Sequence, residues 1–183
     1  DSVASRGLGD VYKRQPQGSR HLRRLPPELH EPRHEGQFMI RVHGYLGTIS
    51  DALREEVTQA DLVVGGQRHL DALAVPDDKR QKLGLIGPAI ERIQSLPDDA
   101  NVVVIASGDP LFFGVVRRIR QAGLRVEVVT APTSLQAAFA AIALPWDDAQ
   151  FVSSHSKDIE TAVRLAKIHP KVGVLTAPNR GLA

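Results

Sequence analysis

The chain has 183 residues, 42% of them hydrophobic, which is enough to bury a real core in one ordinary domain or two small ones. It contains no cysteine, so disulfides, thiolate metal sites and cysteine nucleophiles are excluded and the cytoplasm, a reducing compartment, is the expected location. The net charge of +2 is carried by residues 1–37, where seven Lys and Arg face five Asp and Glu; the remainder is neutral and lacks the basic footprint of a nucleic-acid binder.

Residues 1–37 show neither helical nor strand periodicity and are rich in Pro, Gly, Arg and His, so they cannot bury enough apolar surface to offset their ordering entropy. The expectation is a disordered, non-native tail, with translation beginning at or near Met39, the single methionine. Within it "HEPRH", residues 30–34, matches the zinc-peptidase pattern H-E-x-x-H. That chemistry needs both histidines on one helical face, and Pro32 in the middle would cost a helix about 3 kcal/mol. No metal site is expected from it.

From Met39 onward the pattern is that of an α/β protein. A strand over 40–43 leads to a helix over 51–60, with Ser50 or Asp51 as its cap. A strand over 61–66 follows, then a short helical piece over 67–73 and a polar loop. A helix over 88–95, a strand over 102–106, a helix over 111–122 and a strand over 125–129 come next, and "APTS" opens a helix over 135–143. The longest apolar run, residues 137–144, is far below the roughly 20 residues of a membrane span, and no membrane partner is expected. "LPWDDAQ", residues 144–150, breaks the rhythm and suggests a linker; a strand over 151–153, a helix over 158–168 and a strand over 171–176 follow. Strands separated by helices of this length imply parallel pairing in an open, mostly parallel sheet. The expected division is a tail at 1–37, an N-terminal α/β lobe at 38–146 and the start of a second, incomplete α/β lobe at 147–183.

The stretch "VVVIASGDPLFFG", residues 102–114, ends a buried strand on Ser107, Gly108, Asp109 and Pro110. Asp109 stands where a helix cap belongs and Pro110 where the first helical residue belongs, worth about 1 kcal/mol with no function attached. Capping leaves Ser107 and Gly108 unexplained. A glycine at the carboxyl end of a parallel strand lets a ligand approach the backbone, and that edge of an α/β sheet is where ligands bind. The loop "VHGYLGT" after the first strand carries Gly44 and Gly47 without the G-x-G-x-x-G spacing of a dinucleotide fingerprint. "VVGGQRHL" brings Arg68 and His69 to the same edge, although turn chemistry explains its glycines and a solvated surface explains Arg68. In "SSHSK" Ser154 and His155 alternate between strand faces and cannot form a nucleophile–base pair; His155 reads better as a polar group facing a cleft between lobes. "RRIR", residues 117–120, is a solvated helical face with some attraction for an anion.

In combination "ADLVVGGQRHL", "ASGDPLFFG", "APTSLQAAFAAIALPWDDAQFVSSHSK" and "VGVLTAP" resemble the tetrapyrrole methylases, and within them the branch that methylates C5 late in cobalamin synthesis. The resemblance runs from Met39 to the end of the chain. It implies a two-lobed fold with S-adenosylmethionine held in the cleft between lobes. It assigns cofactor binding to Gly44 and Gly47 in the first loop, to Ser107, Gly108, Asp109 and Phe112, to Thr133 and Ser134, and to Ala177. A ring bearing many carboxylates would take Arg68 and Lys157 as cationic partners, with His155 beside them. The resemblance also suggests a homodimer. Methyl transfer from a sulfonium to a ring carbon needs no metal and no activated nucleophile of the protein, and orientation alone can supply about 7–11 kcal/mol. Another ring position, another substrate such as a diphthamide precursor, or a silent binding module remain the alternatives, and no catalytic base is named.

Overall fold

A computed structural model of the chain describes residues 39–154 and 159–176. The chain divides into two units, Asp1–Glu35 and Gly36–Ala183, and all described residues belong to the second. The expected tail and its "HEPRH" pattern lie outside the described residues, as do His155, Lys157 and Ala177.

Thirteen elements alternate among the described residues: β1 (Met39–Tyr45), α1 (Asp51–Gln59), β2 (Leu62–Gly65), α2 (Gln67–Ala72), β3 (Arg80–Lys82), α3 (Ile86–Gln94), β4 (Asn101–Ser107), α4 (Val116–Gln121), β5 (Val126–Val129), α5 (Ser134–Ala141), β6 (Gln150–Ser153), α6 (Glu160–Ile168) and β7 (Val172–Leu175). The first five strands form one sheet in the order β3-β2-β4-β1-β5, every pair parallel. The α/β class and parallel pairing are therefore those anticipated from the alternating pattern. β6 and β7 form a separate parallel pair joined through α6.

β2 and the middle of β4 are runs of Leu, Val and Ile because both of their faces are covered. On one face Ile40, Val42, Leu62, Val64, Val102 and Val104 pack under α3 and α4, which contribute Ala89, Ile93, Val116 and Ile119. On the other, Val63, Val103 and Ile105 pack under α1 and α2 through Leu53, Val57 and Leu70. Strand alternation thus divides one run, Val102 to Ile105, between two cores.

The placement of the helices also defines a switch point. The chain leaves β1 through α1 on one face of the sheet, and leaves the adjacent β4 toward α4 on the other. The carboxyl ends of β1 and β4 therefore flank a crevice that neither connection covers, which is where open α/β sheets bind ligands.

Three sequence expectations require correction. β3 falls within the stretch read as a polar loop; "RQK" has no apolar alternation, and it pairs because Val63 N–H donates to the Lys79 carbonyl at 2.8 Å and Leu83 N–H to the Gly65 carbonyl at 2.7 Å. The helix expected over 111–122 begins only at Val116. Asp109 accordingly does not cap a helix: its Oδ1 accepts from Leu111 N–H at 2.8 Å and closes a turn of its own. By contrast Ser50 caps α1 as expected, its hydroxyl accepting from Leu53 N–H at 3.2 Å. No helix among the described residues is long and apolar enough to cross a membrane.

Candidate functional site

The crevice is built from the segment that follows β4. Gly108 leaves the strand in the left-handed region, φ 68°, and its N–H donates to the Tyr45 carbonyl at 2.7 Å, tying the ends of β1 and β4 together. A side chain there would be strained in backbone conformation and would narrow the gap toward Thr133 and Ser134, whose nearest atoms lie 3.6 Å from an added Cβ. The Asp109 turn follows, with Phe112 N–H donating to the Asp109 carbonyl at 3.2 Å. Phe113 is held at φ 54°, an outlying conformation for a bulky residue, with its ring half exposed.

Two supports hold this segment in place. Gly44 packs directly against it: an added Cβ would stand 2.6 Å from the Gly108 carbonyl oxygen and 2.7 Å from the Ala131 nitrogen. α5 begins beside it through a capping box, in which Gln136 N–H donates to Thr133 Oγ1 at 3.0 Å and Thr133 N–H donates to Gln136 Oε1 at 2.7 Å.

The resulting trough has two compartments that share Ser107, Gly108 and Ser134. One, of about 340 Å³, lies between the sheets; Asp109, Phe112 and Thr133 line its near side, and Ser153, Leu175 and Thr176 its far side. The other, of about 590 Å³, opens over the end of β1 and is lined by Tyr45, Leu46, Gly47 and Arg68. A ring cluster connects the near and far sides of the first: Phe151 meets Phe112 edge-on at 5.5 Å and Trp146 at 6.0 Å between centroids.

Among the described residues Arg68 is the cation that lines the second compartment. Its Nη2 donates to Ser107 Oγ at 3.0 Å and its Nε to His69 Nε2 at 3.3 Å. His69 is buried, and that burial, with the Arg68 charge beside it, holds its imidazole below the usual histidine range. The other conspicuous arginine near the sheet, Arg41, is already matched by Glu56 at 2.9 Å and Glu127 at 3.2 Å. Asp148 is paired with Lys171, whose ammonium hydrogen bond holds its carboxyl below the ordinary carboxylate range.

Of the residues singled out from sequence, Ser107, Gly108, Asp109, Phe112, Thr133 and Ser134 line the first compartment together, and Gly47 and Arg68 line the second. Gly44 lines neither compartment; it is the packing support of Gly108. "RRIR" is a solvated face, with Val116 and Ile119 turned inward and the arginines outward. Sequence reasoning missed Tyr45, Ser153 and Thr176. The signal for Ser153 and Thr176 was present, since each stands at the carboxyl end of a parallel strand.

The fold is an open parallel α/β sheet with a trough at its switch point, flanked by the separate β6–β7 pair. Comparison with known proteins makes this specific. The model of the tetrapyrrole (corrin/porphyrin) methylases matches residues 44–180, and the chain belongs to that family. It is 30% identical over 124 residues to "Probable cobalt-precorrin-7 C(5)-methyltransferase" of Methanocaldococcus jannaschii, covering 63% of this chain and 59% of that protein. It is 32% identical over 139 residues to a precorrin-6Y C(5,15)-methyltransferase (decarboxylating) of Sinorhizobium sp, covering 73% of this chain and 32% of that protein. A similar solved structure is the cobalamin-biosynthesis precorrin-6Y methylase of Archaeoglobus fulgidus, with a TM-score of 0.53, 26% identity and 67% of each chain covered. The chain thus spans only about a third to two thirds of these proteins.

Proposed function

We propose that this chain carries the donor-binding and acceptor-binding parts of an S-adenosylmethionine-dependent C-methyltransferase of cobalamin biosynthesis, acting at C5 of a precorrin or cobalt-precorrin in the cytoplasm. The names of the relatives support the reaction class and the ring position. The observation that carries the reading is the glycine cradle of Gly108 at the crevice between β1 and β4.

The first compartment suits the cofactor chemically. Its polar groups are neutral hydroxyls and one carboxylate, the groups that hydrogen-bond a ribose and an amino-acid ammonium without competing as nucleophiles, and its rings offer apolar faces to a purine. Ser107, Gly108, Asp109, Phe112, Thr133 and Ser134 would hold it; the family resemblance adds Ala177, and Gly47, which lines the adjoining compartment, as further cofactor-binding residues. Bound there, the cofactor supplies a methyl group on a sulfonium. The protein's contribution is orientation and exclusion of water: the Asp109 turn fixes one wall, and the Phe112–Phe151 contact holds the other wall against it. Arg68 would bind an acceptor carboxylate in the second compartment, and the family resemblance adds His155 and Lys157 as further acceptor-binding residues. We assign a homodimer as the working assembly.

Calorimetry with S-adenosylhomocysteine tests the reading directly. Saturable binding is expected; Asp109→Ala, which removes a charged hydrogen-bonding group and the acceptor that closes its turn, should weaken it roughly tenfold, a larger effect than its lowering of the melting temperature. A wild-type chain that takes up no S-adenosylhomocysteine would sink the proposal. Transfer of a labelled methyl to a polycarboxylate corrinoid, mapped to the ring position, tests the acceptor.

A further inference from the structure

Among the described residues Arg68 pairs with no carboxylate; its two partners are the neutral Ser107 hydroxyl and the His69 ring. A guanidinium that lines a concave compartment with two neutral anchors keeps its net charge and part of its donor fork for an incoming anion. His69 Nε2 accepts from Arg68 Nε, so Nδ1 carries the ring proton; the Ser107 hydroxyl accepts from Arg68 Nη2 and lies 3.4 Å from Nε2, where it can only share the same lone pair. The ring itself is fixed by an edge-on contact with Tyr45 at 4.9 Å and by Gly66, where an added Cβ would lie 3.4 Å from Nδ1. His69 Nδ1 is buried without a hydrogen-bond partner among the described residues, a cost the fold retains.

We infer that His69 is a positioning residue for acceptor recognition: its neutral imidazole, with Ser107, aims the Arg68 guanidinium into the second compartment to grip a carboxylate of a polyanionic ring. A role as general base is disfavoured, because both burial and the adjacent guanidinium oppose formation of an imidazolium. The inference rests on the proposed acceptor class, and the anion is defined by its chemistry, a carboxylate able to accept two parallel N–H bonds.

The test uses the whole chain and two probes, uroporphyrin III as a tetrapyrrole polycarboxylate and S-adenosylhomocysteine, each titrated by calorimetry. His69→Phe keeps an aromatic ring for Tyr45 but removes the acceptor, and His69→Gln keeps an acceptor. Expected results are a roughly tenfold loss of uroporphyrin affinity in His69→Phe, recovery in His69→Gln, and unchanged S-adenosylhomocysteine affinity in both. Arg68→Leu should lose as much, and combining it with His69→Phe should add nothing further, because the two act as one unit. If His69→Phe does not fold, the same comparison is made between His69→Gln and His69→Leu. Additive losses, or uroporphyrin binding as tight in His69→Phe as in wild type, would overturn the inference while leaving the methyltransferase reading intact. A wild-type chain that binds S-adenosylhomocysteine but no uroporphyrin would overturn both the inference and the acceptor assignment.

Discussion

At the scale of single residues, the trough depends on two positions where side-chain size and protonation decide the outcome. Gly44→Ala would drive a Cβ to within 2.6 Å of one backbone atom and 2.7 Å of another, neither of which can rotate away. The expected cost is about 1–3 kcal/mol of stability together with weaker S-adenosylhomocysteine binding, read by denaturant titration and calorimetry on the same preparation. His69 sets a pH dependence. Its folded value is lowered from 6.5 by burial and then by Arg68, so the unfolded chain binds the proton more tightly. Stability from this group is complete above the unfolded value and is lost as pH falls through the folded one. Subtracting the pH–stability curve of His69→Gln from that of wild type should isolate a component that declines below about pH 6.5. A flat difference curve would mean that the ring is not kept neutral.

Single elements show how local chemistry builds the wall of the cleft. α5 starts where it does because Thr133 and Gln136 satisfy each other's backbone donors, and this fixes Ser134 at the junction of the two compartments. Thr133→Ala should cost about 1 kcal/mol, measured as a fall in the denaturation midpoint. Thr133→Ser, which retains the hydroxyl, should recover most of it. The start of α5 was legible in "APTSLQ" because a capping box is a local pattern. The late start of α4 was not: Asp-Pro satisfies the rules for a helix start, but Phe113 in the left-handed region delays it, and Gly114 passes so close to Pro110 that an added Cβ would meet its carbonyl oxygen at 2.1 Å. β3 was illegible for a different reason, since an edge strand of three polar residues is specified by its neighbour's free hydrogen bonds rather than by its own pattern.

Across the whole unit, the two sheets are coupled through aromatic contacts. Phe151 of β6 touches Phe112, Phe139 and Trp146, and Gly173 of β7 leaves room for its ring, an added Cβ there falling 2.8 Å from Phe151 Cδ1. Trp146 is the single tryptophan, so its fluorescence reports on this joint. S-adenosylhomocysteine binding should change the Trp146 emission. Phe151→Ala should destabilise the chain by about 2 kcal/mol or more and should abolish that emission change. An unaltered response in the variant would separate the joint from the cleft.

The sequence by itself determined the α/β class, the parallel pairing and the cluster Ser107, Gly108 and Asp109, because alternation, β-branched runs and turn residues act over a few positions and are written in adjacent letters. Only the tertiary structure decided which strand ends meet. The insertion of β4 between β1 and β2, with exit helices on opposite faces, brings Tyr45, Arg68, His69 and Ser107 to one crevice from three separate strand ends. That juxtaposition is set by sheet order, a global outcome of packing two cores at once, and no local pattern encodes it.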